Sequence, residues 1–109
     1  MEKKVIRISN AYFPPEQTGK VESMLNNEFK NSLIPAIKKL KGNIDFYVGI
    51  DKEKCAMTNV SLWQTIEDAK QMDTLKEMLE AKEPFEALGV KFEKITNHQV
   101  LWELNNGLI

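Results

Sequence analysis

Residues 54–69, KCAMTNVSLWQTIEDA, place a strand directly against the start of a helix, and this junction limits the folds open to the chain. Alternation carries Met57, Asn59, Ser61 and Trp63 to one side of the strand, with Val60 and Leu62 in the other phase. Thr65 then caps a helix, with Asp68 three residues on in an acidic variant of the capping box, and Glu67 and Asp68 suit the positive helix start. The helix buries Ile66, Ala69, Met72, Leu75, Met78 and Leu79; Glu83-Pro84 interrupts it, and a short further turn ends at Gly89.

The rest of the chain supplies the partners this unit needs. Lys4 to Tyr12 alternates as a strand, with Val5, Arg7 and Ser9 on one side and Ile6, Ile8, Asn10 and Tyr12 on the other, and Pro14-Pro15 stops it. Thr18 is the expected N-cap of a first helix with an apolar stripe at Val21, Leu25, Phe29, Leu33 and Ile37. Pro35 predicts a kink near residues 31–34, and Gly42 is the expected stop. Ile44 to Ile50 is a second strand, joined by the charged loop Asp51 to Lys54 to a third over Cys55 to Gln64. A long last strand is expected from Val90 to Leu104, its mixed apolar phases pointing to a bulge near Thr96 to His98, followed by a short tail from Asn105.

The order β-α-β-β-α-β over residues 1–109, taken as one domain, is an α+β, ferredoxin-like arrangement: a four-stranded antiparallel sheet with two helices on one face. The strands are apolar in both phases, so the uncovered sheet face is expected to pack against a second copy in a homodimer. With 15 Lys and Arg against 16 Asp and Glu, no net field draws the chain to nucleic acid, and no stretch is apolar enough for a membrane. The single cysteine, Cys55, suits a reducing compartment, so the cytoplasm is expected. One His and one Cys give no metal-ligand spacing, and the five glycines form no phosphate-binding loop; neither metal nor other cofactor is expected.

The strand ending in Pro-Pro, the helix closing in LIPAIKKLKG, the run VSLWQTIEDAKQM and the last strand after a Gly-terminated helix together resemble the dimeric α+β barrel superfamily, and within it the antibiotic biosynthesis monooxygenase-like proteins. The resemblance implies a pocket between sheet and helices. In the cofactor-independent, quinone-forming members, an Asn four residues before the third-strand Trp helps to hold a polycyclic phenol, and Asn59 and Trp63 match that spacing. The Tyr of the following helix is replaced near Ala69, and the later basic residue by acidic Glu83. In the haem-degrading branch a first-strand Asn and the same Trp act with a second-helix His; Asn10 and Trp63 match, but the only histidine, His98, is on the last strand.

The candidate pocket is therefore Asn10, Asn59, Trp63 and Met72, with Asn59, Trp63 and His98 as catalytic candidates. Asn59 would donate to a developing oxyanion and Trp63 would wall an aromatic ligand, although a Trp at that place also serves as core. Histidine is the side chain whose charge changes near neutral pH, which makes His98 a candidate proton carrier or a plain surface group. The expected activity is cofactor-independent oxygenation of an aromatic ligand, against two alternatives: a non-enzymatic dimeric ligand-binding or structural module, and haem binding.

Overall fold

The computed structural model describes residues 3–105. Strand β1 (Val5–Tyr12) lies at the centre of the sheet, antiparallel to β3 (Ala56–Trp63) on one side and to β4 (Lys91–Phe92) and β5 (Thr96–Gln99) on the other, while β2 (Asn43–Asp51) pairs outside β3. The sheet is antiparallel throughout and ferredoxin-like in order, with the last strand divided in two. Three residues between Phe92 and Thr96 face two of β1, because Phe92 pairs with Ala11 and Thr96 with Ile8. This one-residue bulge swaps the phase of the chain, which accounts for the mixed apolar pattern. It lies at residues 93–95, earlier than Thr96 to His98. The expected strand also ends early: Val100 to Leu104 lie outside the ladder, and of the tail only Asn105 is among the described residues.

The first crossover runs through α1 (Thr18–Met24), a π-helical turn (Leu25–Phe29) and α2 (Lys30–Lys38). Thr18 is not the N-cap: a 3-10 turn at Pro15–Gln17 precedes it, and its hydroxyl donates back to the Pro15 carbonyl at 2.7 Å. The irregular turn also lies before Pro35. Asn27 Nδ2 donates to the Ser23 carbonyl at 2.8 Å and so competes for the acceptor that the helical ladder uses four residues back. Gly42 follows in the left-handed region at φ +78°. In the hairpin, Cys55 is a turn residue at φ +54° rather than the first residue of β3.

The second crossover is α3 (Ile66–Lys70), a 3-10 turn (Gln71–Thr74) and α4 (Lys76–Ala87). Thr65 caps α3 as expected, its Oγ1 accepting from the Asp68 amide at 3.0 Å. The interruption is at Leu75, whose ψ is 121°, while Pro84 is accommodated within α4.

All the helices cover one sheet face. Val5, Ala11, Met57 and Trp63 meet Val21, Leu25, Phe29, Leu33, Ile37, Ala69, Met72 and Phe85 there in a single buried cluster. The other face presents Ile6, Ile8, Val60, Leu62 and Tyr47, which is 64% exposed. Trp102, 81% exposed, projects beside it. Among the described residues no helix is long and apolar enough to cross a membrane.

Candidate active-site cleft

Pairing between β1 and β3 decides what faces the helices. Val5 lies opposite Trp63, Arg7 opposite Ser61, Ser9 opposite Asn59 and Ala11 opposite Met57, so small and polar residues of both strands share the covered face. Where large apolar side chains would have met the helices, a hollow of about 240 Å³ remains. Leu25, Phe29, Met72, Phe85 and Phe92 form its apolar wall. Phe85 stands edge-on to both Phe29 (5.7 Å, 79°) and Phe92 (6.5 Å, 82°), so the wall is braced by aromatic contacts.

Seven polar residues line this space: Ser9, Thr58, Lys82 and Glu93, together with Arg7, Asp73 and Asn59. Arg7 is 1% exposed, and its Nη2 donates to Asp73 Oδ1 at 3.0 Å, but Nε and Nη1 find no partner among the described residues. Asp73 belongs to the 3-10 turn before Leu75 and is half exposed. Asn59 completes the set; its Oδ1 is enclosed and also without a partner. Arg7 adds its N–H donors beside the Asn59 amide, whose Nδ2 is also a donor. Enclosing a guanidinium costs several kcal/mol unless its charge and its N–H groups are answered, and one half-exposed carboxylate answers them only in part.

Of the residues expected to form the pocket, Asn59 and Met72 line the cleft. Asn10 does not: it points to the opposite face, where Thr58 Oγ1 donates to its Oδ1 at 2.6 Å. Trp63 is wholly enclosed in the core and is not a lining residue; its Nε1 donates to Ser61 Oγ at 2.8 Å. His98 pairs across from Ile6 on the face away from the helices, exposed, with Nε2 at 2.9 Å from Thr96 Oγ1. Arg7 is the cleft residue that sequence reasoning passed over. Its signal was available: it shares a phase with Ser9, and that phase pairs with Asn59 and Ser61. Among the described residues no three His, Cys, Asp or Glu side chains group together as metal ligands.

No protein-family model and no curated protein sequence matches the chain. Solved structures do. A candidate antibiotic biosynthesis monooxygenase from Deinococcus radiodurans superposes with a TM-score of 0.71 at 16% identity, covering 93% of this chain and 96% of that one. A conserved protein from Methanosarcina mazei Go1 gives 0.68 at 20% identity over 89% and 92%. SnoaB, a cofactor-independent oxygenase from Streptomyces nogalater, gives 0.63 at 10% identity over 94% and 97%. At these identities the likeness is one of architecture: the chain has the α+β fold of these solved structures.

Proposed function

We propose that the chain binds a small hydroxyaromatic molecule in the cleft and promotes its reaction with dioxygen without a metal or flavin of its own, working as a homodimer in the cytoplasm. The observation that carries this reading is an apolar hollow of ligand size lined by Arg7 and Asn59, each of which has enclosed side-chain atoms without a partner among the described residues. Leaving such a polar group unpaired costs about 1–3 kcal/mol; a polar ligand that draws these side chains toward the hollow supplies the missing bonds. A dry cavity of about 150 Å³ holds benzene, so a cleft of about 240 Å³ suits one or two rings.

A naphthol, once deprotonated, is electron-rich enough to reduce dioxygen itself. One oxygen atom becomes the second carbonyl of the quinone; the other leaves as water with the hydroxyl hydrogen and the displaced ring hydrogen. The protein then has three tasks: to hold the ring against Phe85 and Met72, to keep water out, and to stabilise negative charge on the substrate oxygen through Arg7. Oxygen uptake with 1-naphthol is the test. Asn59→Ala is expected to lower kcat/KM by about tenfold or more, and an unchanged rate removes Asn59 from the reaction.

One observation favours the non-enzymatic alternative: Trp63, the residue that the resemblance sets against the ligand, is enclosed and does not reach the cleft. Saturable naphthol binding with no oxygen uptake is the outcome that selects a ligand-binding module. Haem binding draws less support, because the chain's one histidine, His98, is on the far face.

The homodimer rests on the uncovered sheet face, where Ile6, Ile8, Val60 and Leu62 adjoin exposed Tyr47. Sedimentation equilibrium at micromolar concentration is expected to give twice the mass of the 109-residue chain; a single species at the chain mass overturns it.

A further inference from the structure

Resting on the aromatic-cleft reading above, we propose that the ligand of this cleft is an anion: a one- or two-ring hydroxyarene carrying a carboxylate, with the carboxylate on Arg7 and the hydroxyl on Asn59. Arginine stays charged at any ordinary pH and carries five N–H donors. In this chain it is placed at 1% exposure with one hydrogen bond, to a carboxylate that is itself half in solvent. Two of its nitrogens, Nε and Nη1, are enclosed with no partner among the described residues. A neutral ligand hydroxyl answers at most one of these donors. A carboxylate, with two oxygens and about four lone-pair sites, answers several and supplies the charge that Asp73 provides only from the solvent edge.

The second half of the recognition follows from register. Arg7 faces Ser61 directly, which makes Asn59 its diagonal neighbour across β1 and β3, at about 7–8 Å or less between side-chain origins. Side chains converging from those positions reach adjacent substituents on one ring. The Asn59 amide takes the hydroxyl while Arg7 donates to the neighbouring carboxylate. The same pair discriminates against a simple phenol, which leaves Arg7 unanswered, and against a simple arene carboxylate, which leaves Asn59 unanswered. Asp73 competes with the ligand for Nη2, so its removal favours the bound anion.

Equilibrium titration of the full chain with 1-hydroxy-2-naphthoate, 2-naphthoate and 1-naphthol tests this. The hydroxynaphthoate is expected to bind at least tenfold more tightly than either comparator. Arg7→Met is expected to erase the preference over 1-naphthol, while Arg7→Lys, which keeps the charge but loses the planar fork, retains only part of it. Asp73→Asn, on an exposed turn, is expected to tighten hydroxynaphthoate several-fold with 1-naphthol unchanged, and it keeps the proposal open to refutation if Arg7→Met does not fold. Equal affinity for hydroxynaphthoate and naphthol in the wild type, or a preference that survives Arg7→Met, overturns the anion inference and leaves the aromatic cleft standing. Absence of binding by all three overturns both.

Discussion

Gly42→Ala is expected to be among the most damaging single substitutions in the chain, although it adds one methyl group. At φ +78° a Cβ meets its own backbone, and here it also collides with the Asp68 carboxylate, 2.5 Å from its Cγ. Asp68 is buried, and its backbone is held at the start of α3 by the Thr65 cap. The surrounding corner is tied on every side: Gln64 N donates to the Gly42 carbonyl at 2.9 Å, and Gln71 Nε2 donates to the Lys41 carbonyl at 2.7 Å. The left-handed backbone costs a side chain about 1–2 kcal/mol, and forcing atoms into a packed site adds about 1–3 kcal/mol. A loss of about 2–5 kcal/mol in a domain of this size lowers Tm by roughly 10–30 °C. Calorimetry checks the value, and the double variant Gly42→Ala/Asp68→Ala separates the two causes. It is expected to recover the clash and leave the backbone cost; a shift in Tm below about 5 °C for Gly42→Ala contradicts the geometry of this corner.

Trp63→Ala is the second large effect, and its value is in what it leaves alone. The indole is fully enclosed in the cluster joining sheet to helices, and its Nε1 answers Ser61 Oγ at 2.8 Å. Removing it opens a cavity and strands a buried hydroxyl, at a cost of about 3–5 kcal/mol. The denaturant midpoint reads that cost. Trp63→Phe keeps most of the volume and is the variant in which function is compared, with 1-naphthol affinity expected within twofold of wild type. A folded Trp63→Phe protein that no longer binds naphthol would return the tryptophan to the ligand site.

The strand that carries Trp63 was legible because its two phases differ in kind. Asn59, Ser61 and Trp63 fall together by alternation alone, and the Thr65 cap behind them is a local hydrogen bond that local sequence encodes. Gly42 was legible for the same reason, as a residue free to take a positive φ after a helix. What could not be read locally was the partner of each phase. An arginine between Ile6 and Ile8 reads as the solvated side of a half-buried strand; only its register against Ser61 shows that it faces the helices and that the isoleucines face away. Asn10 was displaced from the expected pocket by that same reversal.

Helix interruptions show the converse limit. Pro84 lies within α4, where the carbonyl it leaves unbonded is on an exposed stretch that water can serve, so the sequence signal for a break was real but cheap to override. The break occurs instead at Leu75, next to the turn from which Asp73 reaches Arg7. In the last strand, mixed phases announced a bulge without locating it, because its place is set by β1: Ala11 holds Phe92 on the covered face while Ile8 holds Thr96 on the other.

The central claim is that small aromatic molecules enter between the sheet and the helices, beside Arg7 and Asn59. Amide chemical-shift mapping of the labelled chain during titration with 1-naphthol tests it most directly. Saturable shifts confined to the cleft, at Arg7, Ser9, Asn59, Met72, Asp73 and Phe85, are the predicted result. Shifts confined to Tyr12, Tyr47, His98 and Trp102 on the far face, or none at millimolar naphthol, would contradict it.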